Sequence, residues 1–357
     1  MQVVGGSNPL APIFLIILQH FFGFLCPALK SVHTGNSPQI CENLLGGTSL
    51  FLSERQSIAS VAFIADGSVP MIKLPLLAGN STICIPDSVS MPEALGRVTH
   101  LGVGAHQDDL EFMAFQGIAE CYGSHELWFG GVTCTDGKGS SRNLAYANLS
   151  SDELAALRRQ EQEEAARIGR FGIMIQLGHS SSEATNPQSD LLPNDLFQIL
   201  TATRPRVVYT HSPADKHRTH LGVFAALLQA LRKMPTVDRP SKLIGCEGWR
   251  DLDWLCDGEK VRMDVSGRGD LAEKLNSVFA SQIAGGKRYD LAVTGRRAAN
   301  ATFYEPREGD HASQVLVGID LTPLVMDDSM DVIDFTRGFI RRFEEEVVHG
   351  LTPYFRK

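Results

Sequence analysis

The sequence predicts an α/β fold of three layers, in which a mainly parallel sheet lies between two layers of helices. From Arg97 onward, short apolar runs alternate with longer amphipathic segments, and this alternation is typical of β-α-β units with a parallel sheet covered on both faces. The chain has 357 residues, 43% hydrophobic and 21% charged. It is therefore an ordinary globular chain, long enough for one large α/β domain or two smaller ones.

The elements follow one another in a regular order. Strands are predicted at Val98–Gly104, Leu127–Cys134, Ile173–Leu177, Val207–Thr210, Lys242–Ile244, Val261–Asp264 and Val315–Ile319. Helices are predicted at Glu111–Cys121, Ser151–Ile168, Asn194–Thr203, Thr219–Lys233 and Asp270–Ala280, with a C-terminal helix whose apolar stripe is Val332, Phe335, Phe339, Phe343 and Val347. Because β-α-β crossovers are right-handed, the loops after Gly104, Cys134 and Thr210 are expected to face a common cleft.

The first part of the chain lacks this regularity. Residues 1–94 are predicted to be an N-terminal segment of uncertain structure, and residues 95–357 to form one domain. An apolar leader spans residues 10–29, but no Lys or Arg precedes it, and Gln19 and His20 interrupt it. A signal or anchor, an unstructured leader and a piece without a folded role all remain open. We expect a cytoplasmic protein, with export or membrane association through the apolar stretch as the alternative.

Charge and cysteine content exclude some classes of function. The net charge is -8 and no basic block stands out, which argues against nucleic acid as a partner. The seven cysteines are odd in number and scattered, without a close Cys-x-x-Cys pair. A disulfide scaffold or a thiolate zinc cluster is therefore not expected, and the cysteines are predicted to be reduced and mostly buried.

Two clusters of polar residues carry the chemistry. The first, Ala105-His106-Gln107-Asp108-Asp109, directly follows a strand, and ligands bind at the carboxyl ends of strands in open α/β sheets. The second contains His217 and His220, three residues apart at the start of a helix, so that both side chains can face the same cleft.

A catalytic zinc is usually held by three protein ligands and a water. His106, Asp109 and His220 give that count, and Asp108 and His217 then remain for proton transfer. The competing interpretation is that the two aspartates cap the helix that follows and that each histidine is structural. Two such clusters at strand ends favour the metal site.

The loop before the second helix contains two more polar residues. His211 and Asp215 are expected to shape this loop. Asp215 is also a candidate for a carboxylate that orients a ligand histidine from behind.

The two clusters resemble the motifs of the PIG-L/LmbE zinc N-deacetylases, Ala-His-Pro-Asp-Asp and a distant His-x-x-His. The resemblance implies a Rossmann-like (LmbE-like) fold and removal of an acetyl group from an N-acetylglucosamine-type or related amide. It also implies zinc (Zn2+) bound by His106, Asp109 and His220, with a zinc-bound water as the nucleophile. Asp108 takes the role of general base, and His217 that of an oxyanion donor or acid.

Further positions resemble the family less closely. Asp136 lies where the family has a Thr- and Gly-rich loop, Arg158 matches an Arg-x-x-Glu helix, and Gln107 replaces the usual proline. These three are expected to contact substrate, with a solvated arginine as the alternative for Arg158. Ser281-Gln282 also resembles a pair near the C-terminal part of the family.

The expected partner is a small N-acylated amino-sugar substrate, and a homo-oligomer stays open. An amidase that acts on a larger acyl group and a non-catalytic sugar- or glycolipid-binding protein on the same fold are the alternatives. A structural zinc domain is disfavoured, because structural zinc sites are closed by four protein ligands, often cysteines.

Overall fold

An eight-stranded sheet organises residues 74–356, the part of the chain that the computed structural model describes. Its strands are β1 (Thr82–Cys84), β2 (His100–Gly104), β3 (Phe129–Thr135), β4 (Ile173–His179), β5 (Val207–His211), β6 (Lys242–Cys246), β7 (Lys260–Asp264) and β8 (Val315–Asp320). They are arranged in the order β1-β4-β3-β2-β5-β6-β8-β7. The five central strands from β4 to β6 are parallel, whereas β1 and β8 run antiparallel to their neighbours. The predicted mainly parallel α/β fold is confirmed.

Helices connect the strands and cover the sheet. They are α1 (Met91–Gly96), α2 (Asp109–Met113), α3 (Phe115–Cys121), α4 (Ser151–Ile168), α5 (Ser181–Ala184), α6 (Leu191–Thr203), α7 (Arg218–Lys233), α8 (Gly269–Val278), α9 (Ala280–Ile283), α10 (Tyr289–Thr302), α11 (Thr322–Met326) and α12 (Val332–Phe355). α4 has the bounds predicted from sequence. It begins with a capping box, in which the Ser150 hydroxyl accepts from the Glu153 amide at 3.2 Å and the Glu153 carboxylate accepts from the Ser150 amide at 2.8 Å.

The buried apolar residues form two clusters. Val103 and Ile175 belong to one cluster, whereas Phe129 and Met174 belong to the other. Successive residues of a strand point to opposite faces, so the neighbours Met174 and Ile175 place the two clusters on the two faces of the sheet. The fold therefore has the predicted helix–sheet–helix layers.

The strand order places a topological switch beside β2. The chain runs from β2 to β3 and β4 on one side, then crosses to β5 and β6 on the other. The connections that leave β2 and β5 diverge at this point, and ligands bind in the crevice that this opens. His106 follows β2 and His211 ends β5, so both predicted clusters flank the crevice.

Several predicted elements differ in detail. The helix predicted over Glu111–Cys121 is two helices, α2 and α3, which meet at Ala114 (φ -102°, ψ 17°). The helix predicted over Asp270–Ala280 also ends early, at Val278, since Phe279 leaves helical geometry (φ -82°, ψ 52°). α6 begins three residues before the predicted Asn194, because a proline in the first turn lacks only an amide that the helix does not use. Helix α10 and strand β1 were not predicted.

Residues 74–94 belong to the sheet's edge. β1 pairs with β4, and Leu74 and Leu76 pack against the core. The amides of Leu77 and Ala78 donate to the buried Asp195 carboxylate at 2.5 and 3.1 Å. The domain boundary between residues 94 and 95 stays a prediction, and the apolar leader at residues 10–29 lies outside the described residues.

Two further sequence features have structural counterparts. The five cysteines within residues 74–356 are free, and Cys121, Cys134 and Cys246 are buried. None of the described helices is both long and apolar enough to cross a membrane.

Candidate active site

A cavity of about 410 Å³ opens at the carboxyl ends of the central strands. Its lining includes the predicted residues His106, Asp108, Asp109, Arg158, His217 and His220. A volume of this size is typical of small-molecule sites. Residues that are 114 positions apart in the chain, His106 and His220, therefore share one pocket.

The first loop is a tight turn between β2 and α2. The His106 amide donates to the Asp109 carboxylate at 2.7 Å, which folds that side chain back over the loop. Asp108 has φ 103°, a left-handed conformation that costs a non-glycine residue about 1–3 kcal/mol and that persists where the surrounding structure holds it in place. The Asp108 amide donates to the Gln162 side chain at 3.2 Å, and this bond helps to hold the strained residue.

The second loop is organised by Asp215. One carboxylate oxygen accepts from the His217 amide at 2.8 Å. The other bonds with His220 Nδ1 at 3.1 Å and accepts from the Trp249 amide at 3.1 Å. Gly248 lets this oxygen approach the backbone, because a Cβ there would lie 2.3 Å from it. With Nδ1 engaged by Asp215, the ring of His220 points Nε2 into the cavity.

Atoms of both loops that could bind a metal ion converge on one point. His220 Nε2 lies 3.5 Å from one Asp109 oxygen, and His106 Nδ1 lies 3.4 Å from the other. Each of the three residues offers an atom within 4.8 Å of the other two. Ligands bound at 2.0–2.2 Å in a tetrahedral site are about 3.4 Å apart. The set of two imidazoles and one carboxylate therefore fits a zinc ion.

A buried nitrogen without a hydrogen-bond partner also supports a metal site at this position. His220 Nε2 is buried and has no hydrogen-bond partner among the described residues. Leaving a buried polar atom unpaired costs about 1–3 kcal/mol, so such an atom calls for a partner that the protein itself does not supply. A metal ion at the convergence point would be such a partner.

A second group of possible ligands is His211, Asp215 and His220. Here the donor atoms are already engaged. His211 Nε2 accepts from the Ala105 amide at 3.0 Å, so the neutral ring carries its proton on Nδ1. Burial, against the opposing charge of Asp109, lowers the pKa of His211 to about 4. The atoms of this group that face one another are therefore less free to bind a metal ion than those of His106, Asp109 and His220.

The pKa values of the two aspartates of the first loop are shifted in opposite directions. Burial raises the pKa of Asp108 to about 7, against the charge of Arg158. Burial also opposes ionisation of Asp109, but His220 and His211 outweigh it and hold the pKa of Asp109 well below its usual value. One carboxyl group thus favours its proton, and its neighbour remains an anion suited to a cation.

The three expected substrate contacts are placed differently. Arg158 lines the cavity but is buried rather than solvated, and it contacts Asp108 at 3.2 Å, the Gln107 carbonyl and the Ser140 hydroxyl. Gln107 points beneath the loop, where its amide donates to the Thr135 carbonyl at 3.2 Å. Gln107 and Asp136 are both missing from the cavity lining.

Buried neighbours explain these positions. Gln107 also bonds with Gln176 at 3.3 Å, and Gly137 leaves the space that its side chain occupies. Asp136 accepts from the Lys138 amide at 3.1 Å, within its own turn. The structure thus gives both residues a part in shaping loops. Arg158 is the one of the three that reaches the cavity.

The far wall of the cavity was not predicted from sequence. It consists of Trp249, after β6, and of residues between Gln282 and Arg297, which include the first part of α10. The rings of Trp249 and Tyr289 pack edge-to-face with centroids 6.2 Å apart, and Trp249 lies 5.9 Å from His217. Only Ser281-Gln282 had drawn attention to this region.

A comparison with protein families covers the part of the chain that contains both loops. Residues 101–231 match the family model described as "PIG-L: GlcNAc-PI de-N-acetylase", and this range contains both loops. This part of the chain is therefore similar to the PIG-L family. The resemblance inferred from the two motifs is confirmed, and the PIG-L region runs from β2 to the end of α7.

Solved structures resemble this chain in fold. They include a conserved protein from Thermus thermophilus (20% identity, 62% of this chain and 93% of that one, TM-score 0.49). Another is the 4-carboxy-2-hydroxymuconate hydratase of Pseudomonas putida (15%, 63% and 96%, TM-score 0.49). A third is the N,N'-diacetylchitobiose deacetylase of Pyrococcus horikoshii (19%, 63% and 85%, TM-score 0.47). No curated protein matches the sequence.

Proposed function

We propose that this chain is a zinc-dependent N-deacetylase that hydrolyses the acetamide of an N-acetylated amino sugar or a related small amide. One observation carries the proposal. The donor atoms of His106, Asp109 and His220 converge in a cavity that also contains the buried carboxyl group of Asp108. An open set of three ligands beside a spare acid is typical of catalytic rather than structural zinc.

Three residues would hold the ion. His106 and Asp109 come from the first loop and His220 from the second, and Asp215 fixes the orientation of the His220 ring from behind. When bound, zinc lowers the pKa of a coordinated water and polarises the amide carbonyl. All other steps fall to the side chains around it.

Asp108 is the proposed general base. Its carboxylate takes the proton from the attacking water and then delivers a proton to the leaving amine, so that acetate and a free amine result. Arg158 contacts one Asp108 oxygen at 3.2 Å and keeps the side chain in place. The remaining oxygen is left for proton transfer.

His217 is the proposed donor to the oxyanion. Its ring lies 5.0 Å from His106 and 4.6 Å from His220, centroid to centroid. Its Nδ1 atom is buried and lacks a partner among the described residues. A donor held beside the carbonyl stabilises the negative charge that develops on its oxygen.

Trp249 and Tyr289 are the proposed walls of the sugar subsite. Both line the cavity on the side opposite the first loop. Aromatic rings give a large apolar surface at low entropic cost, which suits the apolar face of a sugar ring. The substrate is thus expected to be a single ring or a small conjugate.

The test is a panel of N-acylated sugars assayed for release of the free amine. The panel contains N-acetylglucosamine derivatives and matched compounds with longer acyl chains, each with and without a chelator. We expect acetate release that the chelator stops and that added zinc restores. A preference for the longer acyl chains would support the amidase alternative. Tight sugar binding without turnover, at full zinc occupancy, would support a non-catalytic binding protein and overturn the proposal.

A further inference from the structure

The backbone of Asp108 departs from ordinary geometry more than its neighbours do. Its φ is 103°, whereas the other four non-glycine residues with positive φ within residues 74–356 have values between 45° and 60°. Left-handed helical geometry centres near φ 57°, so those four residues lie close to it and Asp108 does not. A conformation of this kind persists only where surrounding contacts hold it. The residues that hold the backbone of Asp108 therefore also set the position of its carboxyl group.

A buried glutamine of α4 holds this turn. The Asp108 amide donates to Gln162 Oε1 at 3.2 Å, and Gln162 Nε2 donates to Glu111 Oε1 at 2.8 Å. Gln162 and Glu111 are both fully buried, at 0% exposure. Asp108 and Glu111 are three residues apart in the chain. One side chain from α4 thus ties the start of the turn to the first turn of α2.

Glu111 fixes the orientation of the Gln162 amide. A glutamine side chain has an acceptor on one side of its amide and two donors on the other. With the amide reversed, its NH2 group would face the N–H of Asp108, donor against donor. The Glu111 carboxyl group accepts from Nε2, which favours the orientation that leaves Oε1 for Asp108.

Two residues of α4 hold Asp108 in different ways. Arg158 contacts its carboxyl group at 3.2 Å, whereas Gln162, one turn later on the helix, holds its backbone amide. Among the described residues, Gln162 forms no hydrogen bond with the three proposed zinc ligands. Removing the Gln162 amide should therefore displace the proposed base and leave the metal ligands in place.

We infer that Gln162 is a positioning residue for the general base, and that Glu111 sets the orientation of Gln162. The inference rests on the proposed function, in which Asp108 takes the proton of the attacking water. Without the bond from Gln162, the strained turn relaxes and the Asp108 carboxyl group moves away from that water. A general base acts only within hydrogen-bond reach of the proton, and a displacement of about 1 Å can lower turnover about 100-fold.

The first experiment compares kcat and KM of Gln162→Met with those of the wild type. The substrate is the N-acetylglucosamine derivative that the wild type hydrolyses fastest. Methionine has a similar length but no amide, so it fills the space without the two hydrogen bonds. We expect kcat to fall about 10–100-fold, with KM and zinc affinity unchanged. Gln160→Met, the same change at an exposed position of α4, is the control and should keep the wild-type kcat.

The second experiment exchanges the two buried side chains, in the double variant Glu111→Gln with Gln162→Glu. A carboxylate at position 162 still accepts from the Asp108 amide, and an amide at position 111 donates to that carboxylate. The exchange therefore keeps both hydrogen bonds and is expected to retain most of the wild-type kcat. It also tests the inference if Gln162→Met does not fold, because an exchanged protein that folds and binds zinc but is inactive would overturn it.

The third experiment repeats Gln162→Met in the Asp108→Asn background. Residues that act through one group show non-additive effects. If Gln162 acts by placing the base, its loss should lower kcat little once the base is absent. The full 10–100-fold loss in that background would mean that Gln162 acts on another part of the site, and would overturn the inference.

The remaining outcomes separate this inference from the proposed function. An active wild type beside an equally active Gln162→Met variant overturns the inference alone. A rise in KM with kcat unchanged does the same, because a misplaced base affects turnover rather than binding. A wild type that contains zinc and releases acetate from no sugar of the panel overturns the proposed function and the inference together.

Discussion

Asp215→Asn is the most informative single change, because one carboxylate positions both histidines of the second loop. Asp215 bonds with His220 Nδ1 at 3.1 Å and accepts from the His217 amide at 2.8 Å and from the Trp249 amide at 3.1 Å. Asparagine keeps the shape of the side chain but removes its negative charge. Its NH2 group replaces one carboxylate oxygen, so that one N–H donor faces another. The substitution therefore loosens the ring of His220 without removing a metal ligand.

The magnitude follows from the role of Asp215 behind the ligand. Loss of such an outer partner typically lowers metal affinity 10–100-fold, about 1.4–2.8 kcal/mol. We expect zinc affinity to fall by that amount in a competition titration against a chromophoric chelator. Asp251→Asn is the matched control, since Asp251 is exposed and lies in the loop after Trp249.

The reasoning fails if the two variants bind zinc equally well. It also fails if Asp215→Asn unfolds the protein in its metal-free form, because the carboxylate would then act on the whole domain. Thermal unfolding of the metal-free proteins separates these cases. We expect the metal-free melting temperatures of the two variants to lie close together.

Three further outcomes are expected. Gly248→Ala should lower zinc affinity in the same direction as Asp215→Asn, because the new Cβ would lie 2.3 Å from the Asp215 oxygen, whereas Gly258→Ala, with nothing within 4 Å, should not. Trp249→Ala should raise KM about tenfold and change kcat little, since the ring lines the cavity without reaching the reacting bond; a loss confined to kcat would contradict this. Chelation should lower the unfolding free energy by about 4 kcal/mol relative to protein with zinc at a thousandfold excess over Kd; an unchanged melting temperature would contradict a bound metal.

The central sheet could be predicted because each strand carries a local signal. The apolar runs that became β2 to β6 are bounded by small or polar residues, and Ser150 with Glu153 marks the start of α4 unambiguously. The clustering of both polar loops also followed from sequence, because carboxyl ends of neighbouring parallel strands meet at one edge.

Features that depend on tertiary contacts could not be predicted. The orientation of Gln107 depends on Thr135 and Gln176, both distant in sequence, and its side chain lies beneath the loop. Arg158 looks like any arginine on a polar helix, yet its guanidinium is buried against Asp108. The positions of these side chains depend on which distant residues bury them. A short stretch of sequence does not contain that information.

The far wall of the cavity was missed for a similar reason. α10 carries only two buried residues, Arg297 and Ala301, and one of them is an arginine, which a sequence pattern assigns to the surface. β1 is three residues long and lies at an edge of the sheet, too short for an alternation to be recognised. The meeting of the two polar loops could thus be predicted from the sequence, but the wall of the cavity opposite them could not.

The most direct test of the account is the rate of acetate release by the zinc-loaded Asp108→Asn variant, measured beside the wild type at equal metal content. A general base contributes about 10²–10⁴-fold to turnover, so we expect the variant to bind zinc normally and to lose activity by at least the lower of these factors. His220→Ala, as the comparison, is expected to lose zinc and activity together. Full activity of the Asp108→Asn variant would contradict the proposed mechanism.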